Sequence, residues 1–133
     1  MSKKHKQKHI EANPNASLQN IAPDILFLAV SDNELRINLE ITDFQTYCPV
    51  NNAIDAWQFT IKYGTKKGIV IEQLSLNRYL YWLSQQNVTI EEATSMLFEA
   101  LTKVLASAQI QVDAYNISQT GFEITISRGY FEC

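Results

Sequence analysis

Phe44-Gln45-Thr46-Tyr47-Cys48-Pro49-Val50-Asn51-Asn52-Ala53-Ile54-Asp55 sets one cysteine and one carboxylate seven residues apart, across a loop between two segments of alternating apolar and polar residues. A thiolate is the strongest side-chain nucleophile available near neutral pH. A partly buried carboxyl can keep its proton long enough to act as an acid. The pair Cys48 and Asp55 therefore suits addition to an electrophilic carbon such as that of a nitrile. Pro49 holds Cys48 out of the helical region of backbone space, so the cysteine reads as extended chain.

On the N-terminal side of this stretch, Leu35, Ile37, Leu39 and Ile41 alternate with Arg36, Asn38 and Glu40, which predicts a strand with one buried face. Ile25 to Val30 is a short apolar run, and Ser31-Asp32-Asn33 reads as the turn that makes the two runs a hairpin. On the C-terminal side, Trp57, Phe59, Ile61 and Tyr63 alternate with Gln58, Thr60 and Lys62, and Gly64 to Gly68 closes that strand. Leu76, Tyr79, Leu80 and Leu83 predict a helix over 75–86 after a short apolar entry at Ile69 to Ile71. Ile90, Ala93, Met96, Leu97, Ala100, Leu101, Val104 and Leu105 predict a second helix over 89–107. Strands over 109–117 and 122–128 follow, joined through Ser118 to Gly121. Strands, two helices, then strands is an α+β order, with both helices on one face of an antiparallel sheet.

With 133 residues, 46% hydrophobic and 19% charged, the chain has the size and composition of one globular domain. Residues 1–22 are polar and broken by Asn13-Pro14-Asn15, which predicts a flexible basic tail before a single domain over 23–133. Lys3, Lys4, Lys6 and Lys8 lie in that tail with Glu11, leaving seven basic residues against 13 acids elsewhere. An acidic body without a Lys/Arg patch argues against nucleic acid as partner. No apolar segment is long enough to span a bilayer or to serve as a leader, so a cytoplasmic location is expected. Cys48 and Cys133 read as free thiols, since a lone disulfide is uncommon in a reducing compartment. No metal-ligand cluster is expected.

This element order and the Cys48 loop together resemble the QueF family of nitrile reductases, which have the tunnelling fold and act on 7-cyano-7-deazaguanine. The resemblance runs from about Leu35 to Ile126. Phe44 to Pro49 stands where the family has a Phe-Thr-Ser-Leu-Cys-Pro-like segment, and Asp55 follows at the family's interval. Ile71-Glu72-Gln73-Leu74-Ser75-Leu76-Asn77-Arg78-Tyr79-Leu80 matches a Glu-Ser-Lys-Ser-Leu-Lys-Leu-Tyr-Leu-like motif, and Ile90-Glu91-Glu92 falls on the family's Phe-His-Glu. The resemblance implies that Cys48 attacks the nitrile carbon to form a thioimidate and that Asp55 protonates the nitrile nitrogen. Glu92 would hold the guanine-like edge, with Glu91, Glu72 and Ser75 as further substrate-binding candidates. NADPH would then reduce the adduct to the aminomethyl compound, a step of queuosine-type tRNA modification. The resemblance also implies a homo-oligomeric barrel with sites at subunit junctions.

This chain departs from the family at several positions. Leu74 and Asn77 stand where the motif has lysines, Gln119-Thr120-Gly121 where the family has an Arg-Gly-Gly-like turn, and Glu91 where it has histidine. Lys66, Lys67 and Arg78 are the remaining candidates for the phosphates of NADPH. The competing outcomes are a relative of QueF that adds a nitrogen nucleophile to the nitrile, and a protein that binds a deazapurine or pterin without turnover.

Each site residue also has a structural reading. Cys48 can be a small buried hydrophobe. Asp55 can cap a turn. Thr89-Ile90-Glu91-Glu92 fits a capping box. Glu72 and Ser75 can be a strand-end carboxylate and a helix N-cap.

Overall fold

The computed structural model describes residues 21–106, 109–117 and 121–132. Most of the expected basic tail, the Gln119-Thr120 part of the last turn, and Cys133 lie outside the described residues. In chain order the elements are β1 (Phe27–Ala29), β2 (Arg36–Tyr47), β3 (Ile54–Gly64), β4 (Ile69–Ile71), α1 (Gln73–Ser84), α2 (Ile90–Leu105), β5 (Ile110–Ile117) and β6 (Glu123–Gly129). The strands β2-β3-β5-β6 form a four-stranded antiparallel sheet in that spatial order, and both helices pack on one of its faces.

The expected hairpin between Ile25–Val30 and the following strand does not form. β1 pairs instead with β4 in a separate two-stranded ladder, Phe27 opposite Ile71 and Ala29 opposite Ile69. The turn segment is diverted because Thr65, buried in the β3–β4 turn, captures it. The Thr65 hydroxyl accepts the Leu35 N–H at 3.0 Å and donates to the Asp32 carbonyl at 2.7 Å, while Thr65 N–H donates to the Leu35 carbonyl at 3.1 Å. Local periodicity cannot reveal a partner 30 residues away.

The alternation in β3 is borne out: Trp57, Phe59, Ile61 and Tyr63 are all buried against the helices, while Gln58 is exposed on the other face. Ile110, Val112 and Ala114 continue this core through β5, and Leu76, Tyr79, Leu80, Leu83, Leu97, Leu101 and Leu105 close it from the helices. Helix α1 begins two residues earlier than its apolar spacing suggests. Its N-cap is Glu72, whose carboxylate accepts the Leu74 and Ser75 N–H groups at 2.9 and 2.8 Å. Helix α2 starts on a complete capping box and ends at Ala106 in the left-handed region, φ 49°.

The two helices are tied to each other and to the sheet at fixed levels. The Tyr79 hydroxyl donates to the Met96 carbonyl at 3.1 Å, and Arg128 on β6 pairs with Glu99 at 2.8 Å while lying 4.7 Å over the Phe98 ring. Arg128 stands in the row Ile61–Val112–Arg128. Because Leu105 leads back to Ile110 opposite Tyr63, the N-terminus of α2 lies toward the other end of β3, the end that begins at Ile54. The five residues between the helices make α1 its antiparallel neighbour, so the C-terminus of α1 lies at that end too.

Candidate functional site: the β2–β3 hairpin

The Cys48 segment is far less of a loop than its sequence suggests. β2 runs on through Phe44 to Tyr47, paired with Trp57 to Ile54, and the connection is a tight turn over 48–53. The Cys48 N–H donates to the Ala53 carbonyl at 2.9 Å, the Asn52 N–H to the Cys48 carbonyl at 2.7 Å, and the Ala53 N–H to Asn51 Oδ1 at 3.0 Å. Asn52 takes φ 59°, the left-handed conformation that asparagine tolerates among non-glycine residues.

What aims Cys48 is a bulge in β2. Ile41 pairs with Phe59 and Phe44 with Trp57, so Thr42 and Asp43 together oppose Gln58 alone. The extra residue reverses the alternation. Before the bulge the odd residues Ile37, Leu39 and Ile41 face the helices. After it the even residues Phe44 and Thr46 do, at 0% and 1% exposure. The ladder continues one residue further to Cys48, which thereby lies on the helix side of the sheet. Asp55, opposite Thr46 and two residues before Trp57, lies on that same side. Cys48 opposite Ala53 and Asp55 opposite Thr46 are thus diagonal cross-strand neighbours, a relation that sets backbones roughly 7–8 Å apart. Both side chains are partly buried. Burial pushes the Asp55 carboxyl above the usual carboxylate range.

The other expected site residues divide by position. Glu91 and Glu92 are exposed in the first turn of α2, at the hairpin end of the sheet. Glu92 serves the capping box: Oε1 accepts from Thr89 N–H at 3.0 Å and from the Thr89 hydroxyl at 3.3 Å, and Glu92 N–H donates to Thr89 Oγ1 at 3.1 Å. Glu72 and Ser75 lie at the other end. The backbone N–H groups of Leu74 and Ser75 hold the Glu72 carboxyl below the usual range, with a further contribution from Arg78. The fully buried Ser75 hydroxyl donates to the Glu72 carbonyl at 2.8 Å and accepts the Leu26 N–H at 2.8 Å, fastening the start of α1 to the segment before β1. Glu72, and not Ser75, is therefore the cap.

Lys66 and Lys67 are exposed in the β3–β4 turn. From Asp55 to Gly64 is nine strand residues, about 30 Å, so these lysines stand far from Cys48 of the same chain. Leu74, 53% exposed, Asn77 and Arg78 belong to the part of α1 that starts at the same remote end. Within one chain, the described cations do not fit NADPH phosphates beside Cys48. Among the described residues no three His, Cys, Asp or Glu side chains gather as metal ligands, and no helix is long and apolar enough to cross a membrane.

Three side chains toward the hairpin end hold polar atoms whose lack of partners the sequence does not signal: Trp57, Trp82 and Gln86. Each carries a buried polar atom without a hydrogen-bond partner among the described residues. Gln86, 1% exposed in the turn after α1, carries no sequence signal of burial.

No family model matches the chain. It is 33% identical over 99 residues to NADPH-dependent 7-cyano-7-deazaguanine reductases of Thermotoga petrophila and Thermotoga maritima, covering 72% of this chain and 70% of each relative. Among solved structures, the apo form of the archaeosine synthase QueF-Like superposes with a TM-score of 0.59 at 14% identity, over 77% of this chain and 98% of that one; this likeness bears on the fold alone. With its α+β order, its hairpin carrying Cys48 and Asp55, and that extent of identity to curated reductases, the chain belongs to the QueF-like family.

Proposed function

We propose that this protein is a QueF-like enzyme whose Cys48 adds to a 7-cyano-7-deazaguanine-type nitrile. One observation carries the reading: the β2 bulge sets Cys48 and Asp55 on the same side of the sheet in diagonal register, with the carboxyl desolvated. The thiolate sulfur bonds to the nitrile carbon, one C≡N π bond opens toward nitrogen, and the Asp55 proton quenches the charge developing there. The proton lost earlier by the thiol balances the one later regained by Asp55. The net change is addition of S–H across C≡N, giving a thioimidate. A carboxyl whose pKa is raised suits this role, because it carries its proton to higher pH than an exposed one.

Reduction to the aminomethyl compound with NADPH is the outcome that the relatives' activity supports, and it would place the protein in queuosine-type tRNA modification. The remote position of Lys66 and Lys67 favours an arrangement in which a neighbouring subunit brings its own β3–β4 turn to the Cys48 site. Without such a neighbour, the competing outcome is attack on the thioimidate by a nitrogen nucleophile. Glu92 would contribute its remaining carboxylate oxygen to the ring edge. We take residues 23–133 as the catalytic domain and the cytoplasm as its location.

Incubation with 7-cyano-7-deazaguanine should add the full mass of the nitrile to the intact protein. Cys48→Ala should abolish the adduct and Cys133→Ala should leave it. No adduct from mildly acidic to alkaline pH would leave only reversible binding of the ring.

A further inference from the structure

Most buried polar side chains of this core are satisfied. The Tyr63 hydroxyl accepts the Ile71 N–H at 3.0 Å, the Tyr79 hydroxyl donates to Met96, Thr94 bonds back to the Ile90 carbonyl at 2.8 Å, and Ser75 and Thr65 are doubly bonded. Against that background, the buried atoms without a partner among the described residues are Trp57 Nε1, Trp82 Nε1 and Gln86 Oε1. Native cores rarely leave such atoms unpaired without a reason.

All three belong to the same end of the molecule. Trp57 is two residues along β3 from Asp55, on the same face, and 5% exposed. Trp82 and Gln86 lie one and two helical turns beyond Tyr79, whose bond to Met96 fixes α1 beside α2, and so come level with the first turns of α2. The Gln86 amide is held in one orientation because its Nε2 donates to the Trp82 carbonyl at 2.9 Å, which leaves Oε1 as a fixed acceptor. Trp57 is fixed by its place between Asp55 and Phe59 and by its cross-strand partner Phe44.

We propose that the Trp57 indole N–H and Gln86 Oε1 form the inner, specificity-determining wall of the Cys48 site. They present one donor and one acceptor to a ligand whose edge carries a carbonyl next to an N–H, the cyclic amide of a guanine-type ring. The inference rests on the proposed function and deepens it, since Glu92 already spends Oε1 on two bonds from Thr89. Both wall atoms are sealed from solvent without ligand, so the ring reaches them by parting the seam between the hairpin and the end of α1.

The test uses the full chain and 7-deazaguanine, which lacks the nitrile and so reports binding without an adduct. Trp57→Phe removes the indole N–H with some ring volume, and Gln86→Met removes Oε1 together with the Nε2 bond to the Trp82 carbonyl. Each should weaken binding about tenfold in a protein that still unfolds cooperatively. Unchanged binding in both variants would show that the atoms serve the fold and would overturn the proposal. In the unmodified protein labelled with ¹⁵N-tryptophan, and assigned with Trp82→Phe, the Trp57 indole resonance should shift on addition of 7-deazaguanine. An unmoved resonance in a protein that binds the ring also overturns it. A protein that neither binds the ring nor forms the nitrile adduct defeats the proposed function itself, a result distinct from binding that ignores Trp57 and Gln86.

Discussion

At Asp55 the same desolvation that fits the carboxyl for proton donation opposes folding once the group is charged. A carboxyl whose pKa is raised on folding contributes most below its unfolded pKa, and the contribution is lost as pH rises through the folded pKa. Asp55→Asn should therefore raise the melting temperature near neutral pH, remove that part of the pH dependence, and slow thioimidate formation on Cys48, followed by mass spectrometry. Glu72 shows the opposite sign. Its pKa is lowered by the N–H groups it caps, so its contribution is present above the unfolded pKa and lost as pH falls through the folded one. Glu72→Gln should lower the melting temperature at neutral pH, with the difference closing in acid. Gly129 imposes a third constraint at this scale. Its φ is 85°, and a Cβ there would run into the Ile110 carbonyl and the Phe98 ring. Gly129→Ala should cost on the order of 2–3 kcal/mol in denaturant unfolding and release Tyr130, whose N–H donates to Ile110 at 2.9 Å.

Among the elements, β2 does the most to make a site. Its bulge is the device that turns Cys48 toward the helices, because side chains alternate with period two and one inserted residue exchanges the faces. Deleting Asp43 should take out the bulge yet leave Phe44 opposite Trp57, because Ile41 and Phe44 then stand two positions apart, so Phe44, Thr46 and Cys48 stay on the helix side. The expected result is a folded protein that still forms the nitrile adduct. Loss of the adduct in a folded deletion variant would show that Cys48 depends on the local twist of the bulge and not only on the face it selects. Elsewhere the elements follow ordinary rules. Helix α2 carries an apolar stripe and a capping box, and Thr89→Ala should destabilise it by about 1 kcal/mol.

For the molecule as a whole, the four-stranded sheet ends in β2 and β6, each with one edge unpaired among the described residues, and β1 presents Phe27 and Leu28 more than half exposed. Open edges and exposed apolar side chains seek partners. We expect a homo-oligomer in solution, and a monomer at micromolar concentration by light scattering would count against shared sites. The same experiment bears on the cofactor. If NADPH is used, its phosphates need cations that the described residues of one chain do not place beside Cys48, so hydride transfer should be slow in the unmodified protein and should depend on assembly. Leu74→Lys with Asn77→Lys should speed NADPH oxidation if those positions face the neighbour's site. Rapid turnover in the unmodified protein would show that other groups hold the phosphates.

The sequence by itself determined the local elements and the chemistry on offer. Strict alternation over 57–63, the apolar stripe of 90–105 and the Thr89 box each depend on residues a few positions apart, and each stands where the spacing predicts. Cys48 and Asp55 could be paired as candidates for the same reason: their interval is short and their chemistry is explicit. Tertiary structure alone decided the rest. The partner of β1 is chosen by the Thr65 clasp and by Ile71, distant in sequence, and a bulge registers only against the strand it faces. The orphaned atoms of Trp57, Trp82 and Gln86 emerge only when β3 and the end of α1 are brought to one end of the core. Whether a polar atom lacks a partner depends on every group around it, and those groups come from parts of the chain that no local pattern connects.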